Sequence, residues 1–260
     1  MSGPSLCRIV ILAKAPVAGS CKTRLIPALG AEGAAALARA FLLRTVDAAL
    51  AAGIGPVELC VTPPARQPIW ATLPLPPTLA WSDQGPGDLG RRMEEAAVRT
   101  LAGGERVILI GTDCPALGPA VLRQAAADLI HHDASIVPTF DGGYALLALR
   151  RQHPTLFRAM PWSTDAVLAE TRSRLAALGW SSLCQPLLHD IDVPADLCHL
   201  PMSLRQEAIR VQQCLPPVSM MNTGVEPDPA TGGLQAFLHP IEPLSGSPSS
   251  GCDSWSPGQE

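Results

Sequence analysis

The chain has 260 residues, of which 47% are hydrophobic and 16% are charged, and its formal net charge is −4. A chain of this length and apolar content can bury a substantial core, which excludes a mostly disordered protein. The small negative charge excludes an overall basic field of the kind that attracts nucleic acid or an anionic membrane.

The chain is predicted to alternate buried strands with helices. Continuous apolar runs rich in β-branched residues are typical of strands that are buried on both faces. The predicted strands are residues 6–13, 57–62, 106–111, 134–138, 144–149 and part of 183–191. The predicted helices are residues 31–52, 88–102, 119–131, 164–178 and most of 194–214. The proline-rich segment 66–87 is predicted to be irregular.

This alternation predicts an α/β fold with a mostly parallel sheet that is covered on both faces by helices. The loops that follow Ala13, Gly111 and Ile191 should then meet at one edge of the sheet, where α/β proteins bind ligands. Residues 1–215 are predicted to form this domain. Residues 216–260 are rich in Pro, Gly and Ser and are predicted to be a disordered or loosely packed tail.

The eight cysteines are scattered and include no C-x-x-C pair, which favours reduced, structural thiols over a disulfide framework or a zinc site. Residues 1–12 show no pattern of a cleaved leader, and we expect a cytoplasmic protein. No run reaches the roughly 18 uncharged apolar residues of a membrane span. The nearest run, residues 31–52, is interrupted by charged side chains.

The loop at residues 13–25 is the first candidate binding site. It lies between a predicted strand and a predicted helix, a placement that suits phosphate, and it contains the only two lysines of the chain. A lysine ammonium is a compact point charge that suits a phosphate. Its candidate binding residues are Lys14, Gly19, Lys22 and Arg24; the alternative is a solvated basic loop.

Two acidic motifs follow predicted strands. Asp113 in G-T-D-C-P is a candidate ligand for Mg²⁺, which needs few protein carboxylates; the alternative is an Asx turn. Asp190 and Asp192 in H-D-I-D-V-P are two residues apart and should point to the same side of an extended segment. Asp192 is therefore a second candidate metal ligand, or it caps the next helix. His189 is predicted to be packed rather than a ligand.

Three further motifs carry weaker signals. Asp141, Gly142 and Gly143 precede the only tyrosine and either approach a ligand closely or form a hairpin turn. Asp88 either contacts a substrate or caps the helix that it precedes. Trp162 is either a core residue or a stacking surface.

In their order along residues 9–197, these motifs resemble the GT-A-like nucleotide-diphospho-sugar transferases, in the rSAM/selenodomain-associated (arsenosugar-biosynthesis-type) subgroup. The resemblance implies a GT-A-like Rossmann-type three-layer sandwich with a mostly parallel mixed sheet. It also implies that Lys14, Lys22 and Arg24 contact a nucleotide diphosphate, and that Asp113 and Asp192 bind Mg²⁺ or Mn²⁺. The loop departs from the family pattern at Ala18, Ser20 and Cys21.

The leading hypothesis is a metal-dependent glycosyltransferase that uses a nucleotide-diphosphate sugar and a small-molecule acceptor, with Asp141 orienting or deprotonating the acceptor hydroxyl. One alternative is a guanylyl- or cytidylyl-type nucleotidyltransferase, because such enzymes share the fold. A second alternative, motivated by the altered loop, is a nucleotide-binding protein without turnover.

Overall fold

The computed structural model describes residues 6–202 and 204. Within them, helices lie on both faces of one sheet. The strands are β1 (Cys7–Lys14), β2 (Val57–Thr62), β3 (Ala80–Asp83), β4 (Arg106–Ile110), β5 (Ala134–Pro138), β6 (Tyr144–Leu149) and β7 (Ser182–Cys184). The α-helices are α1 (Ile26–Ala52), α2 (Leu89–Ala102), α3 (Pro119–Asp128) and α4 (Val167–Ala177).

The strands of the described residues form one sheet in the order β3-β2-β1-β4-β6-β5-β7. The pairs β1–β2, β1–β4, β2–β3 and β5–β7 are parallel, whereas β6 runs antiparallel to both of its neighbours. The predicted α/β fold with a mostly parallel mixed sheet is therefore confirmed.

Successive side chains of the central strands point to opposite faces of the sheet, so the core consists of two layers. Ile9 and Ile11 of β1 contact the layer that contains α1 and α3, whereas Val10 contacts the layer that contains α2 and α4. All three side chains are fully buried, as expected for a strand covered on both faces. This double burial explains why the strand reads as a continuous apolar run.

Several predicted elements differ from the structure. The strand predicted within 183–191 is limited to β7, which ends at Cys184. Helix α3 ends at Asp128 rather than at residue 131, and α4 begins at Val167 rather than at residue 164. The segment 66–87 is not wholly irregular, because it contains the edge strand β3 and a short 3₁₀ helix at Pro68–Thr72. Helix α1 begins at Ile26 rather than at residue 31 and is interrupted at Gly30, whose φ of 69° and ψ of 167° are not helical. The end of the predicted 194–214 helix, the domain boundary at 215 and the tail all lie outside the described residues.

One helix of the described part, Thr23–Ala52, is long and apolar enough to cross a membrane by length and composition alone, with a mean hydropathy of 1.4 over its best window. Its side chains Phe41, Leu42 and Val46 are each at most 1% exposed. Leu42 and Val46 belong to the same apolar cluster as β1 and β4, which is the packing of a core helix.

The cysteines agree with the predicted structural role. No disulfide links those within residues 6–202, and four of them are buried: Cys7, Cys21, Cys60 and Cys114. Burial raises the pKa of the Cys114 thiol to about 11, so the uncharged thiol persists at neutral pH.

A buried carboxylate at the start of β5 gives the first testable prediction. Asp133 accepts hydrogen bonds from the backbone N–H of Ser181 and from the guanidinium of Arg150, and Arg151 lies 2.9 Å away. Burial alone would raise the pKa of Asp133, but these partners outweigh it and lower the pKa. The associated stability is therefore present above the ordinary aspartate pKa and is lost as the pH falls through the lowered value.

We expect Asp133→Asn to lower the free energy of unfolding at pH 7 by about 2 kcal/mol, because two arginines lose a buried charged partner. At pH 3 the difference from the parent should shrink. Urea unfolding at both pH values measures this. Asp47→Asn makes the same chemical change on the exposed side of α1 and should cost less than about 0.5 kcal/mol. Equal losses at the two pH values would contradict the prediction.

Candidate functional site

A cavity of about 720 Å³ lies where the carboxyl ends of β1 and β4 meet the start of β6. It is the sheet edge at which the sequence predicts ligand binding. Most of the predicted site residues line it: Lys14, Lys22, Arg24, Asp113, Asp141, Gly143, Trp162 and Asp192. Three predicted residues are not among its lining: Gly19, Asp88 and Gly142.

The Lys22 ammonium lies between the two predicted metal ligands. Its Nζ is 2.6 Å from Asp113 Oδ1 and 2.7 Å from Asp192 Oδ1, and it donates a hydrogen bond of 2.6 Å to the carbonyl oxygen of Ile191. Only 7% of the Lys22 side chain is exposed. Burial alone would lower its pKa, but the two carboxylates outweigh burial and raise it, so the amine is a cation at neutral pH.

Two hydrogen bonds to backbone carbonyls hold together the segments that carry this ion cluster. The N–H of Ile191 donates to the carbonyl of Asp113 at 2.9 Å, and the Cys114 thiol donates to the carbonyl of His189. Lys22 itself adopts a left-handed conformation, with φ 45° and ψ 41°, just before a 3₁₀ turn. A side chain other than glycine pays for that conformation, and such strain is concentrated at functional sites.

The oxygen atoms around Lys22 Nζ fit a divalent cation by their chemistry. Two carboxylates and a carbonyl are hard donors, which Mg²⁺ and Mn²⁺ prefer, and Mg²⁺ keeps water in its remaining positions. Among residues 6–202 and 204, no group of three or more His, Cys, Asp and Glu side chains is arranged to hold a metal. A divalent cation at this position would therefore be held by Asp113, Asp192, the Ile191 carbonyl and water.

Two cations on the cavity wall remain available for an anion. Lys14 and Arg24 are both exposed, and neither forms an ion pair with any residue that the structure describes. Lys14 is the last residue of β1, and Arg24 lies in the turn that precedes α1. The predicted contact with phosphate stays a prediction for these two side chains, whereas the charge of Lys22 is already paired.

The D-G-G-Y motif is a hairpin turn between β5 and β6, as one of its two interpretations predicts. Asp141 Oδ1 accepts from the Thr139 hydroxyl at 2.6 Å and from the Gly143 N–H at 2.9 Å, which fixes the carboxylate at the cavity wall. Gly142 has a φ of 84°, and a Cβ there would lie 2.2 Å from the carbonyl oxygen of Asp165. Gly142 is therefore in close contact with the backbone of Asp165 and not with the cavity.

Asp190 adds a further carboxylate beside Asp141. Burial is the largest cause that raises the pKa of Asp190 to about 6, and the negative charges of Asp141 and Asp192 add to it. A carboxyl group with this pKa is still mostly ionised at neutral pH and takes up a proton as the pH falls through about 6.

Capping explains Asp88 but not Asp192. Asp88 is the N-cap of α2 and accepts from the Arg91 N–H at 2.9 Å, as the simpler interpretation predicts. The capping alternative for Asp192 is wrong, because Asp196 Oδ2 accepts from the backbone N–H groups of Asp192 and Val193. The Asp192 carboxylate forms its ion pair with Lys22 instead.

His189 is packed, as predicted. Its ring stacks on Phe140, with centroids 3.8 Å apart, and on His199, with centroids 3.6 Å apart. The stack connects the segments that carry Asp141 and Asp190.

Trp162 is a core residue, as one of its two interpretations predicts, and its role as a stacking surface for a ligand stays a prediction. It packs against the α2 backbone, since a Cβ on Gly90 would lie 2.6 Å from its Nε1, and it meets the Tyr144 ring edge-on at 6.5 Å. It also lines the cavity. The indole N–H is buried without a hydrogen-bond partner in the described structure.

Sequence reasoning missed Gln84 and Arg92. Gln84 donates to the carbonyls of Ala13 and Cys60, and its own carbonyl accepts from Arg92, which lines the cavity. Through this network Gln84 positions the Arg92 guanidinium on the cavity wall, as a third cation beside Lys14 and Arg24. One signal in the sequence could have identified Arg92. It lies one helical turn after Asp88 in the same motif, at the start of a helix next to the binding edge of the sheet.

Residues 45–164 match the family model DUF2064, which is described as "Uncharacterized protein conserved in bacteria". No curated protein sequence matches the chain. Over the fold, the chain is similar to the crystal structure of a candidate nucleotide-diphospho-sugar transferase from Desulfovibrio desulfuricans G20. The identity is 29%, the TM-score is 0.73, and the match covers 80% of this chain and 97% of that chain.

Two weaker similarities are to nucleotide-using enzymes. A nucleotidyl transferase from Methanothermobacter thermautotrophicus is 17% identical with a TM-score of 0.45, covering 79% of this chain and 98% of that chain. The inositol-1-phosphate CTP transferase from T. maritima is 13% identical with a TM-score of 0.43, covering 83% of this chain and 100% of that chain. The D. desulfuricans structure supports the resemblance to nucleotide-diphospho-sugar transferases at the level of the fold, and the arsenosugar-type subgroup stays a prediction.

Proposed function

We propose that the protein is a glycosyltransferase that uses a nucleotide-diphosphate sugar, with Mg²⁺ or Mn²⁺, to glycosylate a small-molecule acceptor. The observation that carries this proposal is the convergence of Asp113, Asp192 and the Ile191 carbonyl at one cavity wall. Lys14 and Arg24 line the same cavity and form no ion pair within the described residues. The similarity to the D. desulfuricans candidate nucleotide-diphospho-sugar transferase adds to it.

The cavity provides partners for a departing nucleoside diphosphate. Lys14 and Arg24 bind its phosphate oxygens, and Arg92 adds a further positive charge held by Gln84. Asp113 and Asp192 would hold the divalent cation, which supplies positive charge to the diphosphate as negative charge develops on it. Such charges act strongly because they are fixed before the reaction.

Asp141 serves the acceptor. Its Oδ1 is occupied by Thr139 and Gly143, which orients the carboxylate, and its Oδ2 makes no hydrogen bond within the described residues. When the acceptor oxygen bonds to the anomeric carbon and the bond to phosphate breaks, the hydroxyl proton passes to the Asp141 carboxylate.

Product analysis tests this proposal. The purified protein is incubated with a panel of nucleotide sugars and acceptors in Mg²⁺ or Mn²⁺, and in parallel with nucleoside triphosphates and sugar phosphates. We expect release of nucleoside diphosphate from a nucleotide sugar, dependent on the divalent cation. Release of pyrophosphate from a triphosphate would replace glycosyl transfer by nucleotidyl transfer. Binding of nucleotides with neither product would make the protein a binding protein without turnover.

A matched pair of variants ties the activity to the cavity. Asp47 lies on the exposed side of α1, outside the cavity, so Asp47→Asn should keep the parental rate. Asp141→Asn should lose most of the activity while the nucleotide sugar still binds, because the acceptor loses its base. Equal rates for the two variants would remove Asp141 from the reaction.

A further inference from the structure

Lys22 Nζ, Asp113 Oδ1, Asp192 Oδ1 and the Ile191 carbonyl oxygen form a compact cluster. The three oxygens lie 2.6, 2.7 and 2.6 Å from the nitrogen, in the same order. They therefore converge on one point, which an ammonium fills in this structure. That point is also the position at which the same three oxygens would coordinate a divalent cation.

The two cations exclude each other there. Mg²⁺ binds oxygen at about 2.0–2.1 Å, so a cation shared by both carboxylates would overlap with Nζ. Cations that close also repel strongly in a partly desolvated site. Lysine has a flexible four-carbon stem, and the cavity that Lys22 helps to line offers space for its ammonium to move into.

We propose that Lys22 is an exchangeable internal cation: it neutralises Asp113 and Asp192 in the ligand-free protein, and a divalent cation that binds these carboxylates releases the ammonium into the nucleotide cavity. This inference rests on the divalent-cation site of the proposed function. It deepens that function, because the cation then makes Lys22 available to a phosphate beside Lys14 and Arg24. Cation and diphosphate should consequently bind with positive coupling.

Amine labelling tests the exchange directly, because the chain has only two lysines. Lys14 is exposed, whereas the Lys22 side chain is 7% exposed. The parent protein is treated briefly with an acetylating reagent, with EDTA or with saturating Mg²⁺, and modification of each lysine is followed by peptide mass spectrometry. We expect Lys22 to be modified at least about tenfold faster with Mg²⁺ as its ion pairs break, and Lys14 at the same rate in both conditions.

Cation affinity provides the second measurement. Mn²⁺ binding, followed by electron paramagnetic resonance, should be at least about tenfold tighter in Lys22→Met than in the parent, since the competing cation is absent. Lys14→Met removes the same charge from the same cavity without vacating the cluster. It should change Mn²⁺ affinity less than about threefold. Asp113→Asn should weaken Mn²⁺ binding both in the parent and in Lys22→Met.

The outcomes separate this inference from the proposed function, because neither measurement uses turnover. Lys22 labelling that Mg²⁺ does not change, at a concentration that displaces bound Mn²⁺, would overturn the exchange even if glycosyl transfer is observed. The same holds if Lys22→Met and the parent bind Mn²⁺ with equal affinity. Faster Lys22 labelling together with tighter binding by Lys22→Met would establish the exchange even if no nucleotide sugar is turned over.

Discussion

Asp113→Asn is expected to lower the metal-dependent rate of sugar transfer by about a hundred- to a thousandfold. Asparagine keeps the size of the side chain and one acceptor oxygen, but it removes the charge that a hard cation needs. The departing diphosphate then loses electrostatic stabilisation at the point where its charge develops, and one such partner contributes a factor of this order. Initial rates at saturating substrate measure the effect.

The fold should tolerate this change. The Asp113 side chain is 52% exposed, and Lys22 keeps Asp192 and the Ile191 carbonyl as partners. We therefore expect the free energy of unfolding to change by less than about 1 kcal/mol. Adding Asp192→Asn should cost little further activity, because both carboxylates act through one ion. Activity in Asp113→Asn within twofold of Asp47→Asn would refute the assignment.

Gly142→Ala is expected to cost about 3 kcal/mol or more of stability. At its φ of 84°, an alanine Cβ would lie 2.2 Å from the carbonyl oxygen and 2.5 Å from the Cα of Asp165. Both are backbone atoms, so the collision is relieved only if the turn or the segment just before α4 moves. The Gly142 carbonyl also accepts from the Leu168 N–H within α4 at 2.8 Å. Thermal unfolding with calorimetry measures the loss.

Gly19→Ala is the matched control for this prediction. Gly19 has a similar φ of 75°, but nothing lies within 4 Å of the position of its Cβ. It should therefore show only the conformational cost of a left-handed alanine, about 1 kcal/mol. The difference between the two variants isolates the contact with Asp165. Equal losses would mean that backbone strain alone explains the requirement for glycine at Gly142.

The central strands could be predicted from the sequence because their burial leaves a simple pattern. β2, β5 and β6 begin and end where predicted, since nearly every side chain faces a hydrophobic layer. β3 has no such pattern: its residues alternate between partly buried and exposed, and it pairs with one neighbour at the sheet edge. The sequence A-W-S-D after a proline-rich stretch therefore resembles a loop.

From the sequence, the residue types of the site and their place at one edge of the sheet could be predicted, but not which side chains contact each other. Strand ends predicted that Lys14 and Asp113 lie near each other, because the carboxyl ends of parallel strands share an edge, whereas Asp141 was not placed by this argument. The partners of Lys22 could not be predicted this way, because charge alone does not say whether an ammonium meets a phosphate or a carboxylate. That outcome depends on how residues 189–192 run beside the loop after β4, which no local pattern encodes.

The ion cluster joins the two ends of the described chain, since Lys22 meets Asp192 across 170 positions of sequence. Closing a loop of this length costs conformational entropy, and we expect the contacts of the cluster to form after the folding transition state. Substitutions in the cluster should accordingly change the unfolding rate more than the folding rate. A ligand that fills the site would therefore prolong the lifetime of the folded protein while leaving the speed of folding unchanged.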